Sequence, residues 1–396
     1  MKARNQIACA ALSAITLAAP AYAVDIGGFE FNGYSRGGPV IGYSDNVKGN
    51  LALGGELQKF RLGNEGDYGI EVNMARTFDF QGTKVKVDYM PSKWNNGAFS
   101  TEQAYVEVSG LSISPEAKFW AGQRRLRIQD IHIIDNFLLN YGDNQGAGVV
   151  DIPVGGAKLG FGVFTGDKFD NQLPAGVKAN RMNAEVYDIA TGAGGKLRLL
   201  MTAVSGSGLA NSNTGSGLSL LHNQADFIVK GLTNSLFVQA SRGHARIDGE
   251  FESIDGVNPG RRVQRIADSV AWQSGPFGGQ ALVGLQKSKN EATGVSTRDF
   301  SLGGRISYAF SQHFKMLVEA GTTSRKIDGQ ADQRLNKVTI APTLSVGEDF
   351  WARPELRLYV TKANWNAAAA AANASSFGQG GKTSRTLAGV QYEIWW

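Results

Sequence analysis

Residues 387–396 read LAGVQYEIWW. In an extended chain Ala388, Val390, Tyr392, Ile394 and Trp396 share one face, and Gly389, Gln391, Glu393 and Trp395 the other. An apolar, aromatic face running to the last residue is expected of the closing strand of an outer-membrane barrel. Trp396 then sits in the interfacial girdle and Trp395 faces the lumen. A soluble sandwich strand alternates too, so the decision rests on how many segments share the pattern.

Many do. Phe29 and Phe31 oppose Asn32, Tyr34 and Arg36 in a first strand over residues 29–40. Lys59–Leu62 alternates and ends in a Gly63-Asn64 turn. Tyr68, Ile70, Val72 and Met74 oppose Gly69, Glu71 and Asn73; Leu159, Phe161 and Val163 oppose Lys158, Gly160 and Gly162. Leu197, Leu199, Met201 and Ala203 form a further apolar face, as do Met316, Val318 and Ala320. A strand beginning at Phe350 places Trp351, Arg353, Glu355, Arg357 and Tyr359 together, opposite Leu356, Leu358 and Val360. So many alternating segments need one large closed sheet, because every backbone polar group must be paired in lipid. Residues 209–219, 248–262, 287–297 and 366–382 read as glycine-, serine- or alanine-rich loops, with a short uncapped helix at 367–372.

One run breaks the alternation. Residues 118–148 read KFWAGQRRLRIQDIHIIDNFLLNYGDNQGAG, mixing Arg124, Arg125, Arg127, Asp130 and Asp135 with Ile131, Ile133, Ile134, Leu138 and Leu139. It reads as a loop folded inward from the wall, narrowing a pore with both charge signs, as suits an uncharged, hydroxyl-rich solute. Arginine beside an aromatic recurs on predicted inner faces, at Tyr34/Arg36 and Trp351/Arg353. Rings stack on the C–H faces of sugars while charges meet hydroxyls.

The chain opens MKARNQIACAALSAITLAAPAYA: a basic start, a short apolar run and a small-x-small site at Ala21–Ala23. This predicts a secretory leader, residues 1–23, and one mature barrel domain, residues 24–396. Cys9 is the only cysteine and lies in the leader, so no disulfide is expected. Formal charge is +5; removing Lys2 and Arg4 leaves +3, and no basic run points to nucleic acid. Mean hydropathy of −0.20 is compatible with strands that show lipid only every second residue. No mature segment offers about 18 consecutive apolar residues, so no transmembrane helix is expected.

The chain resembles the maltoporins, sugar-specific trimeric outer-membrane porins. GYSR (33–36), KFRLGNE (59–65), FWAG (119–122), DIHIID (130–135), FWARPELRLYVTKANW (350–365) and the terminal EIWW match in order. The resemblance implies an all-β, antiparallel up-and-down transmembrane barrel of 18 strands with the third loop folded into the pore. It implies saccharide partners, contact with membrane lipids, a homotrimer and a Gram-negative outer-membrane location. Tyr34, Trp94, Trp351 and Trp395 match its stacking ladder, with Trp94 serving a neighbouring subunit. Arg36, Arg61, Glu71, Asp130 and Asp135 match its polar track, and Phe137 its constriction tyrosine. There are departures: Gly69 and Leu232 replace ladder aromatics, Glu102 and Ile128 replace track arginines, and Asn140 replaces an aspartate. Arg125 or Arg127 is a candidate substitute for the second arginine, and Tyr105 a candidate extra stacking surface.

The expected function is therefore facilitated passive diffusion of maltodextrin-like or related sugars. The alternative is a general or anion-preferring porin, for which Arg36, Arg61, Arg124, Arg125 and Arg127 would bias the pore. An enzyme is not expected: His132, His222, His244 and His313 are scattered without metal-ligand spacing, and the glycine-serine runs lack a nucleophile elbow. No cofactor or metal is expected.

Overall fold

The computed structural model describes residues 24–41, 50–207, 214–254 and 260–396. The expected leader and cleavage site lie outside the described residues. Eighteen antiparallel strands close into one barrel, and two-thirds of the chain (66%) is strand. Closure joins the first strand, Phe29–Gly37, to the last, Ser384–Trp395, pairing Tyr34 with Trp395 and Arg36 with Glu393. Among the described residues no helix is long and apolar enough to cross a membrane.

The wall obeys the expected parity. Leu356, Leu358 and Val360 are exposed, whereas Glu355, Arg357 and Tyr359 between them are buried in the lumen. Tyr68, Ile70 and Met74 also face out. Trp396 packs outside, 5.8 Å from Phe31 and over Gly33, where a Cβ would overlap its indole. Alternation is enforced because one side meets acyl chains and the other water.

At one end the hairpins turn tightly. Gln81 and Gly82 both have positive φ, the pairing that matches strand twist. Tyr308, Phe310 and Phe314 form an outward aromatic group at this end, at 5.1 and 5.8 Å. At the other end lie the long loops, which in outer-membrane barrels face the exterior.

Among the described residues, three of those loops turn back into the lumen. The third contributes a hairpin, Arg127–Ile131 and Asn136–Asn140, joined by the turn His132–Ile134. Its Ile131, Ile133, Leu138 and Leu139 are fully buried with Leu200, Leu221, Phe237 and Leu282 of the far wall. Gln280 Oε1 accepts the Ile133 N–H at 3.1 Å and Gln239 Nε2 donates to the Leu138 carbonyl at 2.7 Å.

Other loops correct the sequence reading. Lys59–Leu62 is not a strand: residues 50–68 run inside the barrel as part of the first loop, with Leu57, Phe60 and Leu62 against the wall. Alternation arises there because one side of the segment meets the wall and the other the pore. Phe60 sits over Gly303 and Gly321, where a Cβ at either would overlap its ring. Residues 244–254 also enter, burying Ala245, Ile247 and Phe251. Gly215–Gln224 is strand rather than loop, although residues 208–213 lie outside the described residues. The helix Ala367–Ala372 is capped after all, since the Asn366 side chain accepts the Ala369 N–H. The strand expected from Phe350 begins at Glu355, and residues 346–354 form a long connection.

Candidate functional site: the pore lumen

Barrel register builds the site. One rung of inward positions runs Trp94, Gly69, Arg36, Glu393, Glu355 across five strands. The next runs Ser92, Glu71, Tyr34, Trp395. Closing the barrel thus brings the two ends of the sequence side by side.

Gly69 leaves a gap in the first rung, and the Trp94 indole leans across it. A Cβ at Gly69 would overlap that ring. Trp94 lies near-parallel to Tyr34, at 6.3 Å and 28°, and the Arg36 guanidinium lies 5.0 Å from its centroid. Only residues 95–98 separate Trp94 from the next strand. The Asn95 N–H donates to the Tyr68 carbonyl at 2.9 Å, and Asn95 Oδ1 accepts the Tyr68 N–H at 3.1 Å. Within this chain Trp94 thus lines the cavity of its own barrel, whereas the resemblance implies a role in a neighbouring subunit's pore.

The aromatic surface continues inward. Trp395 lies under the Arg353 guanidinium at 4.2 Å, and His132 stands edge-on to it at 5.7 Å. Trp351 follows, 5.4 Å from His132, in the connection that precedes its strand. Leu232 takes no part: it pairs with Trp272 at an outward position, so that rung is absent. Tyr105 is buried beneath Arg124 at 5.0 Å, as a packing residue.

Charges interlock around the rings. Arg36 pairs with Glu65 (2.9 Å), Asp67 (2.8 Å) and Asp135 (2.8 Å). Arg61 reaches Glu65 (2.9 Å) and Glu393 (2.8 Å). Glu393, fully buried, also accepts from Tyr34 Oη, Arg353 and Arg357. Arg61 and Arg353 each approach a ring nitrogen of His132 at 3.1 Å, and Asp130 lies 3.5 Å from it. Arg125 holds Glu71 through two nitrogens, at 2.7 and 2.9 Å, and also meets Glu102. Glu102, where an arginine was expected, is thus the counter-charge of Arg125. Burial alone would raise the Asp135 carboxyl, but Arg61 and Arg36 hold it well below the usual range. Sequence reasoning passed over Asp67, Glu65 and Glu393; only Glu393 carried a signal, its inward parity in the last strand.

These residues enclose a cavity of about 670 Å³ on the loop side. Its lining holds Tyr34, Trp94, Trp395, His132 and Phe137, with four guanidinium groups (Arg36, Arg61, Arg125, Arg127) and four carboxylates (Asp67, Glu71, Asp130, Asp135). Of the expected site residues, only Trp351 lies outside this lining. Phe137 sits beneath Arg127 at 5.8 Å on the third-loop hairpin. A second cavity of about 560 Å³, toward the tight turns, shares Arg125 and Arg127.

The family model described as LamB porin matches residues 29–396. The chain belongs to this family. Proteins named maltoporin from Vibrio cholerae serotype O1 (strain ATCC 39315 / El Tor Inaba N16961) and Hahella chejuensis are similar throughout. Each is 29% identical, over 98% of this chain and 99% of the first relative, and 97% and 96% for the second. Among solved structures, the anion-selective porin from Comamonas acidovorans is similar at a TM-score of 0.49 and 11% identity, covering 92% of this chain and 99% of that one. As a LamB-family porin this chain is an outer-membrane channel, not an enzyme.

Proposed function

We propose that the pore passes saccharides by saturable diffusion, as a maltodextrin-like or related sugar channel. Trp94, Tyr34, Trp395 and Trp351 would stack ring faces; Arg36, Arg61, Glu71, Asp130 and Asp135 would exchange hydrogen bonds with hydroxyls; and Phe137 would set the throat. The observation that carries this reading is the charge-balanced lining of the larger cavity. Four cations face four anions beside a run of aromatic rings, which favours a neutral, hydroxylated solute over an ion. Each contact is weak enough to release the sugar. The maltoporin relatives support the same reading.

In this reading the barrel assembles as a homotrimer in the lipid of a Gram-negative outer membrane after leader removal at Ala23. N-terminal sequencing beginning at Val24 and cross-linking to a trimer check those two parts. The decisive test is single-channel recording with maltooligosaccharides. Saturable block, weakened in Trp395→Ala with open conductance retained, is the expected outcome; an unblocked current would remove the proposal.

One observation favours a second reading. The smaller cavity is lined by Lys118, Arg124, Arg125, Arg127, Lys158, Lys196 and Arg198 against only Asp151, Glu185 and Asp188. Such an excess of cations favours anions at the exit. Reversal potentials in a salt gradient measure it: strong anion selectivity without sugar block would make this the main function.

A further inference from the structure

The outward face of the wall carries charges that the pore does not use. On strands Arg261–Ser274, Phe277–Asn290, Ser296–Ser311 and Phe314–Ile327, Ile266, Leu285 and Leu302 are exposed in the apolar band. Toward the loop end the same outward positions turn basic. Register sets Arg262 directly opposite Lys289, Lys287 opposite Arg298, and Arg298 opposite Lys326. Like charges directly opposed on adjacent strands repel, and nothing in the fold requires them there.

Carboxylates answer only the edges. Glu291 lies 3.3 Å from Arg262 and Asp332 3.4 Å from Lys326. Among the described residues Lys287, Lys289 and Arg298 make no ion pair. A cavity of about 640 Å³ opens beside them, lined at its outward positions by Leu218, Arg242, Arg262, Gln264, Lys287 and Lys289. It therefore has apolar surface below and cations above.

We propose that this rim binds a multiply phosphorylated lipid of the outer leaflet. The acyl chains lie on Leu218, Ile266 and Leu285, and the phosphates sit among Lys287, Lys289 and Arg298. The long-loop end faces the exterior, so the rim stands at outer-leaflet headgroup level. Adjacent strands are about 4.8 Å apart, so Arg262 and Lys326 are roughly 14 Å apart, too far for one phosphate to serve both ends. A headgroup with at least two phosphates neutralises the whole row, with charge-assisted hydrogen bonds to each.

The test uses the full barrel in mild detergent, titrated with a diphosphorylated disaccharide lipid and read by native mass spectrometry. Wild type should retain this lipid, and lose it at high salt. Lys287→Gln/Lys289→Gln/Arg298→Gln should retain at least tenfold less, with sugar block unchanged because all three lie outside the pore. If that variant does not fold, Arg298→Glu alone should give the same direction of loss, restored in Arg298→Lys. Equal retention by the variants, or equal retention of the same lipid after dephosphorylation, overturns the proposal. So does inorganic pyrophosphate that competes at the lipid's own affinity, since the site would then take soluble anions.

Discussion

Gly69 and Trp94 make a sharp test, because the glycine has no side chain to meet a solute. Gly69→Ala leaves every aromatic in place, yet its methyl would occupy the space now filled by the Trp94 indole. The indole must swing out, giving up Tyr34 at 6.3 Å and the Arg36 guanidinium at 5.0 Å. An aromatic pair of this kind contributes about 0.5–1.5 kcal/mol. Taking about 1 kcal/mol as the stacking energy a sugar ring loses with the platform, affinity falls about fivefold. The assay is maltooligosaccharide block of single channels. Gly69→Ala and Trp94→Ala should each raise the half-blocking concentration by about that factor. In the double variant the second change should add almost nothing, as expected of two residues acting through one ring. Additive effects, or a Gly69→Ala pore indistinguishable from wild type, would refute the reasoning. Mixed trimers separate the two placements of Trp94. With the indole lining its own barrel, each pore's block should follow its own subunit, and a block that tracks the neighbour would support the placement implied by the resemblance.

Other expectations follow from the buried lumen. Glu393→Gln leaves Arg61, Arg353 and Arg357 around a neutral amide and should cost about 3–5 kcal/mol, visible as a lower thermal unfolding temperature; an unchanged temperature would show the cluster to be dispensable. Phe60→Ala, or a Gly321→Val change that fills its seat, should loosen the first loop at a local cost of about 3–5 kcal/mol, raising conductance and current noise while the barrel stays folded. Burial pushes the Asp248 carboxyl up to about 7, against the pull of Arg246. A folded value above the unfolded one means stability falls as pH rises from about 4 to about 7 and is level beyond. Asp248→Asn should flatten that slope in thermal unfolding measured from pH 5 to 8, and a slope unchanged by the substitution would exclude Asp248 as its source.

The wall was legible in the sequence because lipid and water impose a period of two on every strand, as at Leu356–Val360. The third loop was legible for the opposite reason, since Ile131–Ile134 and Leu138-Leu139 break that period. The first loop was not. Lys59-Phe60-Arg61-Leu62 alternates because its apolar side meets Gly303 and Gly321 of the wall, so a two-sided environment imitates a strand without any ladder. Parity also fails to reveal distance between segments. His132 stands between Trp395 and Trp351 only because the third-loop hairpin crosses the lumen, and Trp94 fills a gap that Gly69 opens on the neighbouring strand. Leu232 aligned with a ladder position, yet its register against Trp272 turns it outward.

In the proposed reading, the charge network lets a pore be selective without holding its solute. Desolvating Arg36, Arg61 and Glu393 is costly, and that cost is met when the barrel folds, by partners from three separate loops and strands. A passing solute therefore finds donors and acceptors already fixed in place, and orders little on arrival. Arg36 and Arg61 already hold carboxylates, so a hydroxyl competes with an existing partner or replaces water instead of claiming a bare charge. That keeps individual contacts shallow, as transit requires. Asp135 makes the point most directly: Arg61 and Arg36 outweigh its burial and keep it ionised, so the polar side of the throat holds its charge pattern whether or not a solute is present.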